Sequence, residues 1–182
     1  MQRWFHALAG FAIATALACP AHAAVAEQNA NGFAIVQLVH IAAPPGKVYD
    51  ALIRPARWWD SAHTYSHSAA NLSLDARAGG CFCETLPNGG SVQHAQVVVA
   101  IPGDTLRLRG PLGPFQGQGV DGALTFSLKA AAGGTDLTLE NNIGGFMKGG
   151  FGDWPARADA MLAQQMDHLK HYLETGSAAL DR

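Results

Sequence analysis

The sequence predicts an α+β fold in which a curved antiparallel sheet wraps around one long C-terminal helix, with two short helices after the first strand. Three observations lead to this prediction. Residues 152–176 form a long amphipathic stretch, residues 72–140 alternate between apolar and polar side chains, and residues 43–59 hold two short proline-led helical segments. A helix with one broad apolar face needs a sheet to cover it, and the alternating strands supply that sheet.

The C-terminal helix is the best-marked element of the chain. At about 100° per residue its apolar side chains fall on one arc of roughly 140°, and Gln165 is the one polar residue inside that arc. Asp153 is placed to cap the start, Pro155 suits the first turn, and Gly176 suits a left-handed stop. The residues of the apolar arc are Trp154, Ala158, Met161, Leu162, Met166, Leu169, Tyr172 and Leu173.

The first strand is predicted over residues 32–42, where β-branched and apolar residues dominate until a proline pair ends the run. A short helix is predicted over residues 46–53, and a second begins at Pro55 and carries Trp58 and Trp59. Adjacent side chains on a short helix point in different directions. We therefore expect one tryptophan in the core or a cavity wall and the other at the rim or surface.

About six antiparallel strands follow, each with one apolar and one polar face, as in a meander. They are predicted over residues 72–74, 81–85, 92–101, 106–109, 124–128 and 137–140. Two glycine-rich segments, residues 110–122 and 144–152, connect or follow these strands and contain or adjoin aromatic residues. No internal repeat interrupts the pattern.

The N-terminus has the features of a secretory signal peptide. Arg3 precedes an apolar run at residues 7–17, and residues 21–23 read Ala-His-Ala, a small-x-small cleavage site. We expect cleavage after Ala23 and export, most simply to a periplasm. The competing interpretation is a lipoprotein box ending at Cys19, although the alanine three positions before it and the proline after it fit poorly.

The expected organisation is therefore a signal peptide, a flexible mature N-terminus at residues 24–31, one domain at residues 32–176 and a short tail at residues 177–182. With a formal net charge of −2, the chain has no basic excess that would point to nucleic acid. Once the signal is removed, no stable membrane span is expected.

Two cysteines, Cys81 and Cys83, lie two residues apart on a predicted strand. Their side chains would share a face, but their Cβ atoms would be farther apart than the roughly 3.8 Å of a disulfide, so the spacing predicts that they are not bridged. With His63 and His67 they could form four zinc ligands. That spacing matches no recognised zinc pattern, so we expect neither a metal nor a cofactor.

The order of elements and several short segments resemble the START-like superfamily with the helix-grip fold, SRPBCC, in its Hsp90-activator-like and polyketide-cyclase-like branch. The matching segments, in chain order, are APPGKVYDAL at residues 43–52, the Trp58-Trp59 pair, AGGCFCE at residues 78–84, PNGG at residues 87–90, IPGDTL at residues 101–106 and the tryptophan-led final helix. The resemblance covers roughly residues 33–176, and the order of the segments carries it.

The resemblance implies a cavity between the sheet and the long helix that holds an apolar small molecule. The export signal departs from that pattern and argues against an Hsp90-type partner. The glycine-rich segment at residues 144–152 is a second departure, and we expect it to form a mobile lip at the cavity mouth. The residues expected to line this cavity are Trp58, Trp59, Tyr65, Phe82, Phe115, Phe146, Phe151, Trp154, Met161 and Gln165. For each of them the alternative is ordinary core packing.

Glu84 and His168 are the candidate acid and base. If Phe82 faces inward, as the resemblance implies, Glu84 does too, and a carboxylate over an apolar cavity would have a raised pKa. The alternative places Glu84 in water at the strand end or beside an arginine. For His168 the alternative is a solvated boundary position, and for Gln165 an internal hydrogen bond.

Three hypotheses follow for function. The first is binding of an apolar or amphipathic small molecule in the cavity. The second is a cyclase- or dehydratase-like enzyme in which Glu84 and His168 transfer protons. The third is a chaperone-like protein that exposes an apolar patch to a protein partner. The sequence contains no GxSxG segment and no phosphate-binding glycine loop.

Overall fold

The structure, a computed structural model, describes residues 24–177 and contains one eight-stranded sheet and two α-helices. The strands are β1 (Ala24–Asn29), β2 (Gly32–Ile41), β3 (Leu72–Leu74), β4 (Cys81–Thr85), β5 (Ser91–Ile101), β6 (Thr105–Arg109), β7 (Gly119–Ala131) and β8 (Gly134–Phe146). The helices are α1 (Pro45–Leu52) and α2 (Trp154–Thr175). Short 3₁₀ turns cover Pro55–Arg57, Ser61–His63, Ala69–Asn71, Pro87–Gly89 and Gly113–Gly117.

The sheet runs in the order β1-β2-β8-β7-β6-β5-β4-β3, and every neighbouring pair is antiparallel. Strand β2 pairs with the last strand, β8, so an early and the last strand of the domain are neighbours close to the β1 edge of the sheet. Alternate residues of β2, β7 and β8 are buried on one face, and α2 packs on that face against β1 and β2. The predicted helix-grip α+β fold is therefore confirmed.

Helix α2 buries the predicted apolar arc. Ala158, Leu162, Met166 and Leu169 are buried, and the polar exception Gln165 is buried with them. The helix ends at Gly176, whose φ of 79° lies in the left-handed region that glycine adopts without strain. Its start differs from the prediction in one respect, since the Asp153 side chain makes no capping hydrogen bond.

Residues 24–31 are ordered, which corrects the expectation of a flexible mature N-terminus. Strand β1 pairs along β2 through a tight turn in which the Asn31 N–H donates to Asn29 Oδ1 at 2.8 Å. The next residue must be glycine, because a Cβ on Gly32 would lie 2.2 Å from the Ile143 carbonyl oxygen of β8. Strand pairing thus orders a segment whose composition alone suggested a loop.

The predicted signal peptide at residues 1–23 and most of the predicted tail lie outside the described residues. Export and cleavage after Ala23 therefore stay predictions. Among the helices of residues 24–177, none is long and apolar enough to cross a membrane.

The second short helix is only the 3₁₀ turn Pro55–Arg57, and both tryptophans that follow it are buried. This corrects the expectation that one of them lies at the surface. Because the turn ends before them, the rings are not held to helical spacing. Trp58 Nε1–H donates to the Ala51 carbonyl at 3.0 Å, and Trp59 Nε1–H donates to the His63 carbonyl at 3.2 Å. The rings remain in contact, with centroids 5.3 Å apart.

Candidate functional site

A cavity of about 540 Å³ lies between the β3–β5 end of the sheet, the loop that joins α1 to β3, and α2. Its apolar walls are formed mainly by Trp59, Tyr65, Leu72, Phe82, Leu112 and Met161. Polar side chains at the wall are the hydroxyl of Thr64 and the imidazoles of His63, His67 and His94. No lysine or arginine is among the described residues that line it.

A second cavity of about 200 Å³ lies next to the first, beneath the N-terminal half of α2. The two share His63, Leu112, Pro114 and Met161 as walls. Its aromatic walls are Phe115 and Trp154, whose rings meet edge to face at 5.5 Å. The two cavities therefore lie side by side along α2.

Asn141 on β8 is the polar side chain at the base of the second cavity. It is only 6% exposed, and its amide has no hydrogen-bond partner among the described residues. A buried amide normally has a partner, because burying it unpaired costs free energy. The Asn141 amide is therefore available to a molecule that enters this cavity.

A chain of aromatic contacts forms one wall of the larger cavity. Trp59 packs edge to face on Phe82 at 5.7 Å, and Phe82 lies 5.0 Å from the imidazole of His94. The His94 ring in turn lies 5.9 Å from that of Tyr65. This wall offers flat surfaces and is continuous from the core to the cavity mouth.

The inward orientation of His94 results from a β-bulge in β5. Phe82 pairs with Ala95 whereas the next residue, Cys83, pairs with Gln93, so His94 is an extra residue opposite β4. Consequently His94 and Ala95 are both buried although they are consecutive. Gly110 accommodates the bulge, since a Cβ there would lie 3.3 Å from the Ala95 Cα.

Glu84, the neighbour of His94 across the β4–β5 ladder, is 1% exposed and fully engaged in hydrogen bonds. The backbone N–H groups of Tyr65 and Ser66 donate to its two oxygens at 3.0 and 2.5 Å, and His94 Nε2 lies 2.9 Å from Oε2. Burial by itself would raise the pKa of Glu84, but the hydrogen bonds from Ser66, Tyr65 and His94 outweigh it and lower the pKa. The expectation of a raised pKa is therefore corrected.

The bonds to Glu84 determine where the hydrogen of a neutral His94 ring lies. An ionised carboxylate only accepts, so His94 Nε2 must donate to it, and Nδ1 carries the free lone pair. His94 is 7% exposed and lines the cavity, and Nδ1 has no partner among the described residues. His94 is thus a nearly buried residue of the cavity wall whose Nδ1 acceptor is unpaired.

Gln165 joins α2 to the loop that precedes β3. Its Oε1 accepts from the Asp60 N–H at 2.9 Å, so its Nε2 donates, and the acceptor is His63 Nδ1 at 3.0 Å. Gln164 Nε2 donates to Asp60 Oδ2 at 2.6 Å. Gln165 thus has the internal hydrogen bonds of its alternative interpretation and does not line the cavities, while its partner His63 lines both.

Of the residues predicted to line the cavity, six do so. Trp59, Tyr65 and Phe82 line the larger cavity, Phe115 and Trp154 the smaller, and Met161 both. The other aromatic residues of that set lie elsewhere. Trp58 is in the core, Phe151 is buried against Phe33 at 5.6 Å, and Phe146 is 74% exposed.

The structure does not bring Glu84 and His168, the candidate acid and base, together. His168 is half-buried on α2, lines neither cavity and has no hydrogen-bond partner among the described residues. The imidazole beside Glu84 is that of His94, which strict alternation along β5 would place on the outer face. The only sequence signal for His94 as a site residue was its position in the strand that pairs with the strand of Glu84.

The glycine-rich segment at residues 144–152 does not line either cavity, which corrects its assignment as a lip. Its first residues extend β8, and the Gly145 N–H donates to the Asn31 carbonyl at 3.0 Å. The other glycine-rich segment, around Gly113–Gly117, borders both cavities instead. Gln116 secures this segment, since its Nε2 donates to the Gln93 carbonyl at 2.8 Å and its Oε1 accepts from the Tyr65 hydroxyl at 2.9 Å.

Cys81 and Cys83 form a disulfide, so the prediction of unbridged cysteines is wrong. Two steps along a regular strand would separate their Cα atoms by about 6.6 Å, but here the Cα–Cα distance is 5.4 Å, within the range of disulfides. The register of β4 shifts between Phe82 and Cys83, opposite the bulge, and the two cysteines face away from the cavity. Residues 24–177 contain no group of three or more His, Cys, Asp or Glu side chains suited to a metal ion.

A family model described as Activator of Hsp90 ATPase homolog 1-like protein matches residues 42–174, from the start of α1 to the end of α2. No curated protein sequence matches the chain.

Several solved structures share the fold. A protein from Rhizobium leguminosarum is 23% identical with a TM-score of 0.59, and the match covers 78% of this chain and 93% of that one. The Aha1 dimer from Colwellia psychrerythraea is 21% identical with a TM-score of 0.54, covering 79% and 97%. DynU16, from the dynemicin biosynthetic locus, is 22% identical with a TM-score of 0.57, covering 80% of this chain and 48% of that one. At these identities the likeness concerns the fold.

Proposed function

The chain belongs to the Activator of Hsp90 ATPase homolog 1-like protein family, and we propose that it binds an apolar or amphipathic small molecule between its sheet and α2. The observation that supports this most strongly is the cavity of about 540 Å³ with aromatic walls. Small-molecule sites commonly have volumes of about 300 to 1,000 Å³, apolar walls and a few placed polar groups. This cavity has all three properties.

The polar groups around the space favour an amphipathic ligand. Most buried polar side chains nearby already have partners, as Glu84 and Gln165 do. Two do not, namely the Nδ1 of His94 in the larger cavity and the amide of Asn141 in the smaller. A ligand with an apolar body and a polar group at either end would pair them and displace water from apolar walls.

We also propose that the protein meets this ligand outside the cytoplasm. The proposal rests on the signal-like pattern of residues 1–23, with Arg3 before an apolar run and a small-x-small site at residues 21–23. It makes a small molecule a better candidate than Hsp90 as the natural partner. Sequencing the N-terminus of the protein recovered from a bacterial periplasm tests it, and a mature chain that begins at Ala24 is the expected result.

Binding is tested with N-phenyl-1-naphthylamine, a neutral apolar dye whose fluorescence rises in apolar surroundings. We expect the full chain to bind the dye with saturation. We expect Met161→Trp to weaken binding about tenfold, because Met161 lines both cavities and a larger side chain there would fill part of them. The control is Ala160→Trp, which adds the same side chain to an exposed position of α2. Equal dye affinity in the two variants, or no saturable binding by the wild type, would overturn the proposal.

A further inference from the structure

We propose that the ligand is a planar aromatic molecule with a hydroxyl group on its ring, and that this hydroxyl donates a hydrogen bond to Nδ1 of His94. This inference rests on the proposed function and adds the chemical class of the ligand. It makes His94 the polar contact that selects among apolar molecules of similar size.

The direction of the hydrogen bonds at Glu84 makes Nδ1 of a neutral His94 ring an acceptor. Glu84 receives N–H donors from Tyr65 and Ser66, and its lowered pKa keeps it ionised near neutral pH. A neutral His94 ring therefore donates through Nε2 to Glu84 and offers Nδ1 as an acceptor. An acceptor is satisfied only by a donor, and a ring hydroxyl is a neutral donor.

His94 is also rigidly held. Its ring lies between Phe82 at 5.0 Å and Tyr65 at 5.9 Å, and the β5 bulge directs it inward. The hydrogen bond to Glu84 holds the ring in this orientation, because a flip would put Cε1–H in place of the Nε2–H donor and break the bond. A fixed acceptor beside flat aromatic walls suits a flat ligand whose donor lies in the plane of its ring.

The surroundings of His94 exclude charged ligands. A carboxylate beside Nδ1 would meet its lone pair in the larger cavity, whose described walls contain no lysine or arginine, whereas Arg157 lies at the wall of the smaller one. An ammonium group would lose its water at the apolar wall, and the oxygens of Glu84, the nearby carboxylate, already accept three hydrogen bonds. A neutral hydroxyl avoids both costs.

The other imidazoles of the cavity do not offer the same acceptor. The Nδ1 of His63 already accepts from Gln165, which leaves an N–H on its far side in the neutral ring. His67 is exposed and lies in a left-handed backbone position, with φ 56°. Among the described side chains that face His94, the titratable ones are Glu84 on β4 and Tyr65 in the loop before β3.

The test compares 2-naphthol with 2-methoxynaphthalene, which has nearly the same shape but no hydroxyl hydrogen. Calorimetry of the full chain at about pH 8 should give about tenfold tighter binding of 2-naphthol. In His94→Leu the two probes should bind equally well. The control His40→Gln changes an exposed histidine on the other face of β2 and should keep the tenfold preference.

The outcomes separate this inference from the proposal on which it rests. Equal affinity of both probes for the wild type would overturn the inference and leave apolar ligand binding intact. A preference for 2-naphthol that persists in His94→Leu would also overturn it. If neither probe binds, the inference and the proposed cavity both fail for aromatic ligands. The wild-type comparison needs no variant, so it stands even if His94→Leu does not fold.

Discussion

The cavity has a histidine on two of its sides, and the two are used differently. On the α2 side, His63 Nδ1 accepts from Gln165, which also accepts from the Asp60 N–H. On the β4–β5 side, His94 donates to Glu84 through Nε2, and its Nδ1 has no hydrogen-bond partner among the described residues. The first cluster connects a helix to a loop, and its buried polar atoms are paired. The second leaves the Nδ1 acceptor of His94, a residue that lines the cavity, unpaired.

This difference separates a structural from a functional use of buried polarity. A paired network contributes stability, and removing one member costs free energy because its partners are left unpaired. A buried group without a partner contributes no such stability in the empty protein. Variants that remove a paired member of either cluster, such as Gln165 or Glu84, should therefore change unfolding, whereas loss of the unpaired Nδ1 of His94 should change ligand binding.

The largest expected effect is that of Glu84→Ala, which removes the acceptor of two backbone N–H groups and of His94. We expect the free energy of unfolding to fall by about 3 kcal/mol, since buried donors are left unpaired. Glu84→Gln, which retains one acceptor oxygen, should lose less. Urea unfolding followed by circular dichroism measures both. A loss below about 1 kcal/mol for the alanine variant would show that Glu84 is not the anchor of this loop.

The next effect is that of Gln165→Leu, which removes both hydrogen bonds of α2 to the loop at Asp60 and His63. The expected loss is about 2 kcal/mol of unfolding free energy, because the Asp60 N–H is left without its acceptor. Gln164→Ala, at the neighbouring and less buried position, should cost about half as much. Since Gln165 does not line the cavity, 2-naphthol affinity should change little. A tenfold loss of affinity would show that the Gln165 cluster takes part in ligand binding.

Acid should weaken the β4–β5 cluster selectively. The pKa of Glu84 is lower in the folded than in the unfolded protein, so its stabilisation is complete above the unfolded pKa of about 4.3 and is lost as pH falls through the folded value. Asp121, whose pKa is lowered chiefly by Arg109, adds a smaller exposed contribution. Urea unfolding between pH 7 and 3 should show a shallower decline for Glu84→Gln than for the wild type, and parallel curves would contradict this.

The smallest effect concerns the segment that covers the cavities. Tyr65→Phe removes the hydroxyl that donates to Gln116, while the aromatic ring stays beside His94. Because Tyr65 is 48% exposed, the loss of stability should be about 0.5 kcal/mol or less. Dye dissociation should become a few-fold faster in stopped-flow fluorescence. A rate identical to the wild type would show that this contact does not retain the ligand.

Apolar periodicity was sufficient to predict the sheet and α2, and the resemblance to the helix-grip family implied the cavity and much of its wall. Helical spacing placed Gln165 inside the apolar arc, and Glu84 was inward-facing only if Phe82 was, as the resemblance implied. Neither prediction included their partners, since partners come from distant segments. His94 was missed because a one-residue bulge reverses the face of a strand, and neither hydrophobic alternation nor composition reports it. The same local irregularity accompanies the disulfide between Cys81 and Cys83. Strand β1 was missed because its pairing with β2, rather than its own composition, orders it.

The most direct test of the account is the state of the His94 ring during ligand binding. Long-range ¹H–¹⁵N correlation spectra of the full chain with ¹⁵N-labelled histidine, assigned with His94→Leu, resolve the two ring nitrogens. At about pH 8 we predict hydrogen on Nε2 and a bare Nδ1 whose signal shifts with 2-naphthol and much less with 2-methoxynaphthalene. A hydrogen on Nδ1 of the free protein, or a Nδ1 signal unmoved by saturating 2-naphthol, would contradict the account.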